Sequence, residues 1–491
     1  MTDPGFAALA PLLLLAGWGS ALLLVDAFLP RRRKGITAAL AAIGLGAAFA
    51  LVIGQPAAGP CSSPSSDPGC FGGMVRVDGF ARFLQALVLG TGLAVIALAH
   101  DYLKRTGLER GEFYVLLVFA VMGMMLMAVA ADLIMVFLAL ELLSIPLYVL
   151  AGLARPRLES EESAMKYFLL GAFASGFVVY GVALIFGATG TTQLDGIAEA
   201  ARSLTALRSL LYAGAGFVLV GLCFKVAVVP FHMWTPDVYH GAPSVVSAFM
   251  SVGAKAGGFA ALLRVFLTAF PGQAAIWAPV AMAISALTMA WGNVAAIAQS
   301  NIKRLLAYSS IAHAGYIMMA LPAAASEGLA GEASRAALFY LLAYAATNLG
   351  AWGVVLAVER AEGRGLEVDE YSGLASRRPG LALAMAVFMF SLTGVPPTAG
   401  FLAKFYLFQV VIDAGLIWLA LVGVITSLIS AYYYLRVVVV MYMRPGEPET
   451  RRERWLDASV AAAGLVTFVL GILPGPAVAF AQQAALLAHV P

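Results

Sequence analysis

"GLCFKVAVVPFHMWTPDVYHGAP", residues 221–243, joins two features that a membrane helix normally avoids. An apolar run suited to a bilayer carries Lys225 in its middle and meets Pro230 five residues later. A charge at the bilayer centre costs about 3 kcal/mol on insertion scales. Proline removes a backbone donor and clashes with the preceding turn, which frees carbonyls that lipid cannot satisfy. Irregular backbone at that depth is tolerated only inside protein or beside a water-filled cavity. The stretch therefore predicts a broken helix that admits water beside a buried lysine.

The rest of the chain supplies the membrane. Of its 491 residues, 62% are hydrophobic and only 12% are charged, with no long polar block. Spans of about 20 apolar residues, each able to cross roughly 30 Å of hydrocarbon, recur throughout. They begin near 6, 36, 79, 111, 131, 162, 209, 243, 275, 303, 334, 379, 415 and 457. The expected fold class is an all-α integral membrane protein with about fourteen transmembrane helices. The runs are too long and continuous for the alternating strands of a membrane β-barrel. No basic segment precedes the first span and RRRK (31–34) follows it, the pattern of a retained helix rather than a cleaved signal peptide.

Basic residues divide unevenly between alternate loops. Counting from an external N-terminus, 19 of the 30 Lys and Arg fall in cytoplasmic candidates, including 31–34, 104–110, 155–157, 303–304, 360–378 and 444–454. Five fall on the other side: Arg76, Arg82, Arg202, Arg208 and Arg335. The positive-inside rule then puts both termini outside, in agreement with an even number of spans. In the outward loop 56–77, Cys61 and Cys70 bracket SSPSSDPG. They could bridge on an oxidising face or remain two unpaired thiols.

A second interrupted helix occurs in "FMFSLTGVPPTAGFLAKFYLF" (388–408), where Gly394, Pro396 and Pro397 precede Lys404. The two breaks occupy the seventh and twelfth spans. Five spans separate them, an odd number, so two five-helix units built around them have opposite topology. That is the pointer to an inverted repeat. Pro146 in "LLSIPLY" is read as an ordinary kink.

Six basic residues lie within the spans: Lys166, Lys225, Lys255, Arg264, Lys404 and Arg436. Arg264 and Arg436 sit toward span ends, where long side chains reach the headgroups. Lys166, near the start of the sixth span, is ambiguous. Glu141 lies about ten residues into its span, or roughly 15 Å. Lys255 and His313 fall at similar depth, although their helices run in different directions. Taken alone, a buried lysine or histidine is an element of packing. Glu141, Lys225, Lys255, His313 and Lys404 at matching depth predict a row of titratable groups in the membrane plane. A Glu141–Lys225 pair would hold or release a proton according to the separation of its partners, and waters between the groups would conduct it.

At these residues the chain resembles the antiporter-like membrane subunits of respiratory complex I, and among them the subunit N family of bacterial NADH–quinone oxidoreductase, whose mitochondrial counterpart is subunit 2. The resemblance rests on "FHMWTPDVYHGAPSVVSAFMS" (231–251), "KRLLAYSSIAHAGY" (303–316), "KYFLLGAFASGFVVYG" (166–181) and "GVPPTAGFLAKF" (394–405). It implies a fourteen-helix core with two inverted five-helix repeats, each containing a broken helix. The expected divisions are 1–110 for the first three helices with the 56–77 loop, 111–269 and 270–443 for the two repeats, and 444–491 for a cytoplasmic loop and last helix. It also implies proton translocation through Glu141, Lys225, Lys255, His313 and Lys404, and Lys166 lies in a family-like motif as a further candidate.

The function expected is that of a membrane-arm subunit coupling quinone reduction to proton pumping in a bacterial inner membrane. No cofactor is expected in this chain. FMN, iron–sulfur clusters and quinone would belong to partner subunits, and neighbouring antiporter-like and small membrane subunits would be its partners. The sequence carries no P-loop, no Rossmann glycine pattern after a strand, and no cysteine cluster. Its loop cations lack aromatic interleaving, which argues against nucleic acid. The alternatives are a subunit of a multisubunit sodium/proton antiporter, a scaffold whose charges only pack helices, and a solute permease.

Overall fold

A computed structural model describes residues 4–30, 33–55, 71–360 and 363–486. Cys61 and Cys70 lie outside the described residues. Those described form helices and connecting turns, with three isolated β-bridges and no strand among them. Thirteen of these helices are long and apolar enough to cross a membrane. The fourteenth expected from sequence is the twelfth span. It is two 15-residue helices, Pro379–Thr393 and Ala399–Asp413, each about 22 Å long and too short to cross alone.

In chain order the first six spans are Ala10–Phe28, Gly35–Gly54, Gly79–Thr106, Gly111–Val129, Leu133–Ala151 and Leu158–Thr189. The seventh is Arg208–Val226, followed by the short helix Trp234–Gly241. The eighth to eleventh are Ser244–Ala269, Pro271–Ile297, Ile302–Ala324 and Ala330–Val358. The thirteenth and fourteenth are Ile417–Met443 and Arg454–Ile472.

Burial separates a centre from a rim. The most apolar stretch of the eighth span is buried along its whole length, and those of the tenth and eleventh nearly so. The fourteenth is mostly uncovered by protein, with Leu465 and Phe468 exposed. Lys255 and His313 thus sit on the most enclosed helices of the bundle.

The first and last described residues lie at one end of the bundle. Phe6 packs edge-on to Phe71 with ring centroids 5.7 Å apart. The Leu486 amide donates to Ser334 Oγ at 2.9 Å, and Ser334 opens the eleventh span close to the same face. An even number of crossings places them there.

The breaks are closed by specific local chemistry. After Val226, Ala227 adopts a left-handed conformation (φ 60°) and its amide caps the Cys223 and Phe224 carbonyls. Trp234 Nε1 reaches back over the gap to the Phe224 carbonyl at 3.1 Å. Thr288 Oγ1 of the ninth span accepts from the Val229 amide at 2.9 Å. In the twelfth span Gly394 (φ 96°) ends the first half, a conformation that favours glycine. At Gly400 a Cβ would stand 1.9 Å from the Ser391 carbonyl oxygen, so only glycine lets the second half start so close to the first. Pro146, by contrast, lies inside a continuous helix.

Candidate functional site

A helix end leaves its last carbonyls without amide partners and carries the negative end of the helix dipole. In water the solvent satisfies them; here lysines do. Lys255 Nζ donates to the carbonyl of Val226, the last residue of the seventh span's first half, at 3.2 Å, and also to the Ser310 carbonyl of the tenth span. Lys303 Nζ donates at 2.7 Å to Ala242, which follows the second half. Lys404 Nζ donates to Leu392 and Thr393 at 3.0 and 2.8 Å, where the first half of the twelfth span ends, and to Ser427 Oγ at 2.7 Å. Three buried ammonium groups therefore stabilise three interior helix ends by charge-assisted hydrogen bonds.

Lys303 was grouped by sequence with the cytoplasmic loop cations. Its side chain instead turns inward and is only 3% exposed. The carbonyl that needs it comes from a distant loop, so the charge count could not place it. It lines a chamber of about 300 Å³ with His240, Asn301 and Glu359. Glu359 is buried and accepts from Tyr102 OH at 3.2 Å.

Lys225 is held differently. It is 3% exposed, and its ammonium donates only to side-chain hydroxyls, Ser144 Oγ at 2.8 Å and Tyr167 OH at 3.3 Å. Glu141 lies one turn from Ser144 on the fifth span and accepts from Ser175 Oγ. No direct ion pair joins Glu141 to Lys225 among the described residues. Ser144, which binds the Lys225 ammonium, lies one turn from Glu141 on the same span. The eighth span passes beside Lys225: a Cβ on Gly258, one turn beyond Lys255, would lie 3.5 Å from Lys225 Cγ.

From Lys255 onward the polar path is built largely of tyrosines. His313 is 4% exposed, with Nδ1 2.8 Å from Tyr340 OH and Nε2 3.2 Å from Tyr434 OH. Tyr434 OH also meets Ser309 Oγ. The Tyr434 ring lies 4.3 Å from that of Tyr433, whose hydroxyl donates to Asn293 Oδ1 at 2.9 Å. Asn293 Nδ2 donates to Tyr316 OH at 3.2 Å, and the Lys404 ammonium sits over the Tyr316 ring, 4.9 Å from its centroid. Buried hydroxyls, the Asn293 amide and two ring contacts thus connect His313 to Lys404. Sequence reasoning missed Ser144, Tyr167, Asn293, Tyr316, Tyr340 and Tyr434. "SAYYYLR" (430–436) shows the tyrosines but not which of them faces inward.

Two charges stand apart from this path. Lys166 keeps 40% of its side chain exposed and pairs with Glu162 at 2.6 Å and Asp237 at 2.8 Å, and Asp237 also pairs with Arg304 at 2.9 Å. Arg264 does not reach for the headgroups as its position near a span end suggested. It is 1% exposed and forms a two-pronged ion pair with Asp78 at 2.7 and 2.8 Å, with Ala128 accepting at 2.9 Å. Burial raises the Asp78 carboxyl, but the Arg264 charge and hydrogen bonds, with the Ala81 amide and Arg76, outweigh it and hold the carboxyl below its ordinary value. Among the described residues, no group of three His, Cys, Asp or Glu could hold a metal ion.

Residues 130–430 match the family described as NADH:quinone oxidoreductase/Mrp antiporter, TM. The chain is 49% identical to NADH-quinone oxidoreductase subunit N of Chloroflexus aggregans, covering 97% of this chain and 96% of that one. It is 47% identical to the subunit N of Trichlorobacter lovleyi over the same shares. A chain of respiratory complex I from Thermus thermophilus superposes with a TM-score of 0.80 at 37% identity, over 97% of this chain and all of that one. A chain of the Mrp complex from Dietzia superposes at 0.84 but is only 22% identical, which shows a shared fold.

Proposed function

The chain belongs to the NADH-quinone oxidoreductase subunit N family, and on that premise we propose that it carries protons through the membrane arm of that enzyme by way of Glu141, Lys225, Lys255, His313 and Lys404. The observation that carries this reading is the buried path across both broken helices. The Lys225 stem packs beside Gly258, one turn from Lys255; Lys255 ties the seventh-span break to the tenth span, and polar groups with two ring contacts lead from His313 to Lys404. Each group can accept and return a proton, and the hydroxyls between them can relay one.

The first step is assigned to Lys225, because its ammonium is bound to hydroxyls rather than to a structural helix end. Moving Glu141 toward it would favour the charged lysine; moving it away would favour release toward Lys255. Lys255 and Lys404 would in turn exchange protons while remaining close to their helix ends. Lys166, partly exposed and outside the path, has a lesser role. The two repeats are 111–269 and 270–443, flanked by 1–110 and 444–491. The chain is a multi-pass membrane subunit of a larger complex. Its partners are the neighbouring antiporter-like and small membrane subunits, which with the rest of the complex hold FMN, iron–sulfur clusters and quinone. It lies in a bacterial inner membrane with both termini on the periplasmic side, the arrangement that places the arginine-rich loops in the cytoplasm.

The test is Lys225→Ala in membranes, measuring NADH:quinone reductase activity and proton pumping, with assembly followed on a native gel. Intact assembly with collapsed pumping and coupled turnover is the expected result. Normal pumping from an assembled complex would overturn the relay while leaving the family intact. Repeating the assay with and without sodium separates proton pumping from the sodium/proton antiporter alternative.

A further inference from the structure

At the end of the bundle opposite the two termini, a cavity of about 780 Å³ opens between the ends of the third and eleventh spans, the start of the twelfth, and the loop before the fourteenth. Seven arginines line it, among them Arg105, Arg360, Arg377, Arg378, Arg451 and Arg452, against two glutamates. The proton path uses none of them.

Neighbouring carboxylates engage part of this set. Arg105 pairs with Glu453 at 2.7 Å, Arg378 with Asp457 at 2.8 Å, and Arg377 with Glu447 at 3.6 Å. Arg360 has only the looser contacts with Glu449 and Glu370, at 3.7 and 3.9 Å. Arg451 and Arg452 are exposed and have no side-chain partner among the described residues. Guanidinium forks match phosphate oxygens in shape as well as in charge.

A second cavity, about 490 Å³, lies farther along the third, eleventh and fourteenth spans, the first two of which end at the first cavity. It is lined by apolar side chains such as Leu98, Leu349, Ala463 and Val466. Leu98 precedes Arg105 by seven residues, Leu349 precedes Ala357 by eight, and Ser459 follows Arg452 by seven. Two helices and one adjoining loop therefore place the near end of the apolar groove about 10–12 Å from the arginine cavity. That offset suits the glycerol-ester region between a phosphate and its acyl chains.

We propose that these two cavities form one site for an acidic phospholipid, its phosphate among the arginines and its acyl chains in the groove between the third, eleventh and fourteenth spans. Most of the fourteenth span is uncovered by protein, so a lipid seated here would also cover part of its exposed face.

Two variants test the halves separately. Each arginine near a membrane surface contributes about a fivefold factor toward an anionic headgroup. Arg451→Gln with Arg452→Gln is therefore expected to weaken retention by roughly 25-fold. Gly90 lines the groove, and a Cβ there would meet nothing within 4 Å. Gly90→Leu should fill the groove and displace the chains without straining the protein. The assembled complex, purified in mild detergent and stripped of lipid, is titrated with fluorescent phosphatidylglycerol, then with phosphatidylcholine, and with inorganic phosphate as competitor. Assembly is checked on a native gel.

Saturable phosphatidylglycerol binding that both variants weaken, with little binding of phosphatidylcholine, is the result expected. Equal binding by wild type and variants would overturn the proposal. So would equal binding of the two lipids. Ready displacement by inorganic phosphate with no effect of Gly90→Leu would make the cavity a free-anion site. Loss of assembly in the arginine variant alone would make it a contact for an acidic protein segment.

Discussion

The ammonium of Lys255 lies 3.2 Å from the carbonyl oxygen of Val226, the residue next to Lys225. A proline break in one helix has thereby become a docking point for the charge of another. A π-helical turn, Met250–Ala254, immediately precedes Lys255; such turns insert a residue and re-aim the side chain that follows. The proposed conduction path and the repair of the broken backbone use the same atoms.

Removing this lysine should therefore have two effects. Lys255→Ala leaves the Val226 carbonyl, at a helix end, short of a donor, at about 1–3 kcal/mol for a group left unsatisfied. It also removes the proposed relay group between Lys225 and His313. Lower thermal stability of the complex together with lost pumping is expected. Lost pumping with unchanged melting would argue that water satisfies the Val226 carbonyl and that the contact is not structural.

Tyr434→Phe should separate these roles. The ring remains, so packing is kept, but the hydroxyl between Ser309 and His313 is gone. Pumping rate is expected to fall severalfold with assembly unchanged. An unaltered pumping rate would remove Tyr434 from the path.

Lys166→Ala should do little. Its ion pairs are about 40% exposed, and exposed pairs contribute about 0–1 kcal/mol. Retention of most quinone-reductase activity is the expected outcome. A loss equal to that of Lys225→Ala would place Lys166 in the proton path.

The Asp78–Arg264 pair predicts a pH signature outside the path. Breaking a buried pair by removing one partner costs about 3–5 kcal/mol, so Asp78→Asn should lower the melting temperature of the complex. The folded carboxyl is depressed below its ordinary value. Its stabilisation is thus complete above the unfolded value of about 3.9 and is lost as pH falls through the folded value. The melting difference between wild type and Asp78→Asn should hold from neutral pH down to about pH 5 and shrink only in stronger acid. A difference that vanishes near pH 6 would contradict the assignment.

Gly400→Ala should prevent the twelfth span from forming its break, because the added carbon would stand 1.9 Å from the Ser391 carbonyl oxygen. Overpacking of this kind costs about 1–3 kcal/mol or more. Reduced assembly on a native gel is expected, whereas Gly394→Asn, which tolerates a left-handed backbone, should assemble better than Gly394→Val.

By itself the sequence determined the membrane class, the spans, the two breaks and the buried charges. Each of these is a local property: hydropathy over about 20 residues, a proline, or a lysine in an apolar run. Even the twelfth span, which is two short helices, is marked by Gly394, Pro396 and Pro397. Only the tertiary structure decided what the charges touch. Lys303 and a loop cation look alike in one dimension, as do Arg264 and an arginine reaching for headgroups. Which of them turns inward depends on a carbonyl or carboxylate supplied by a distant segment, Ala242 for one and Asp78 for the other. The tyrosines between His313 and Lys404 were hidden for the same reason. A hydroxyl in a membrane helix becomes a relay only when another helix presents a partner within hydrogen-bond distance, and that distance exists only once the helices are packed.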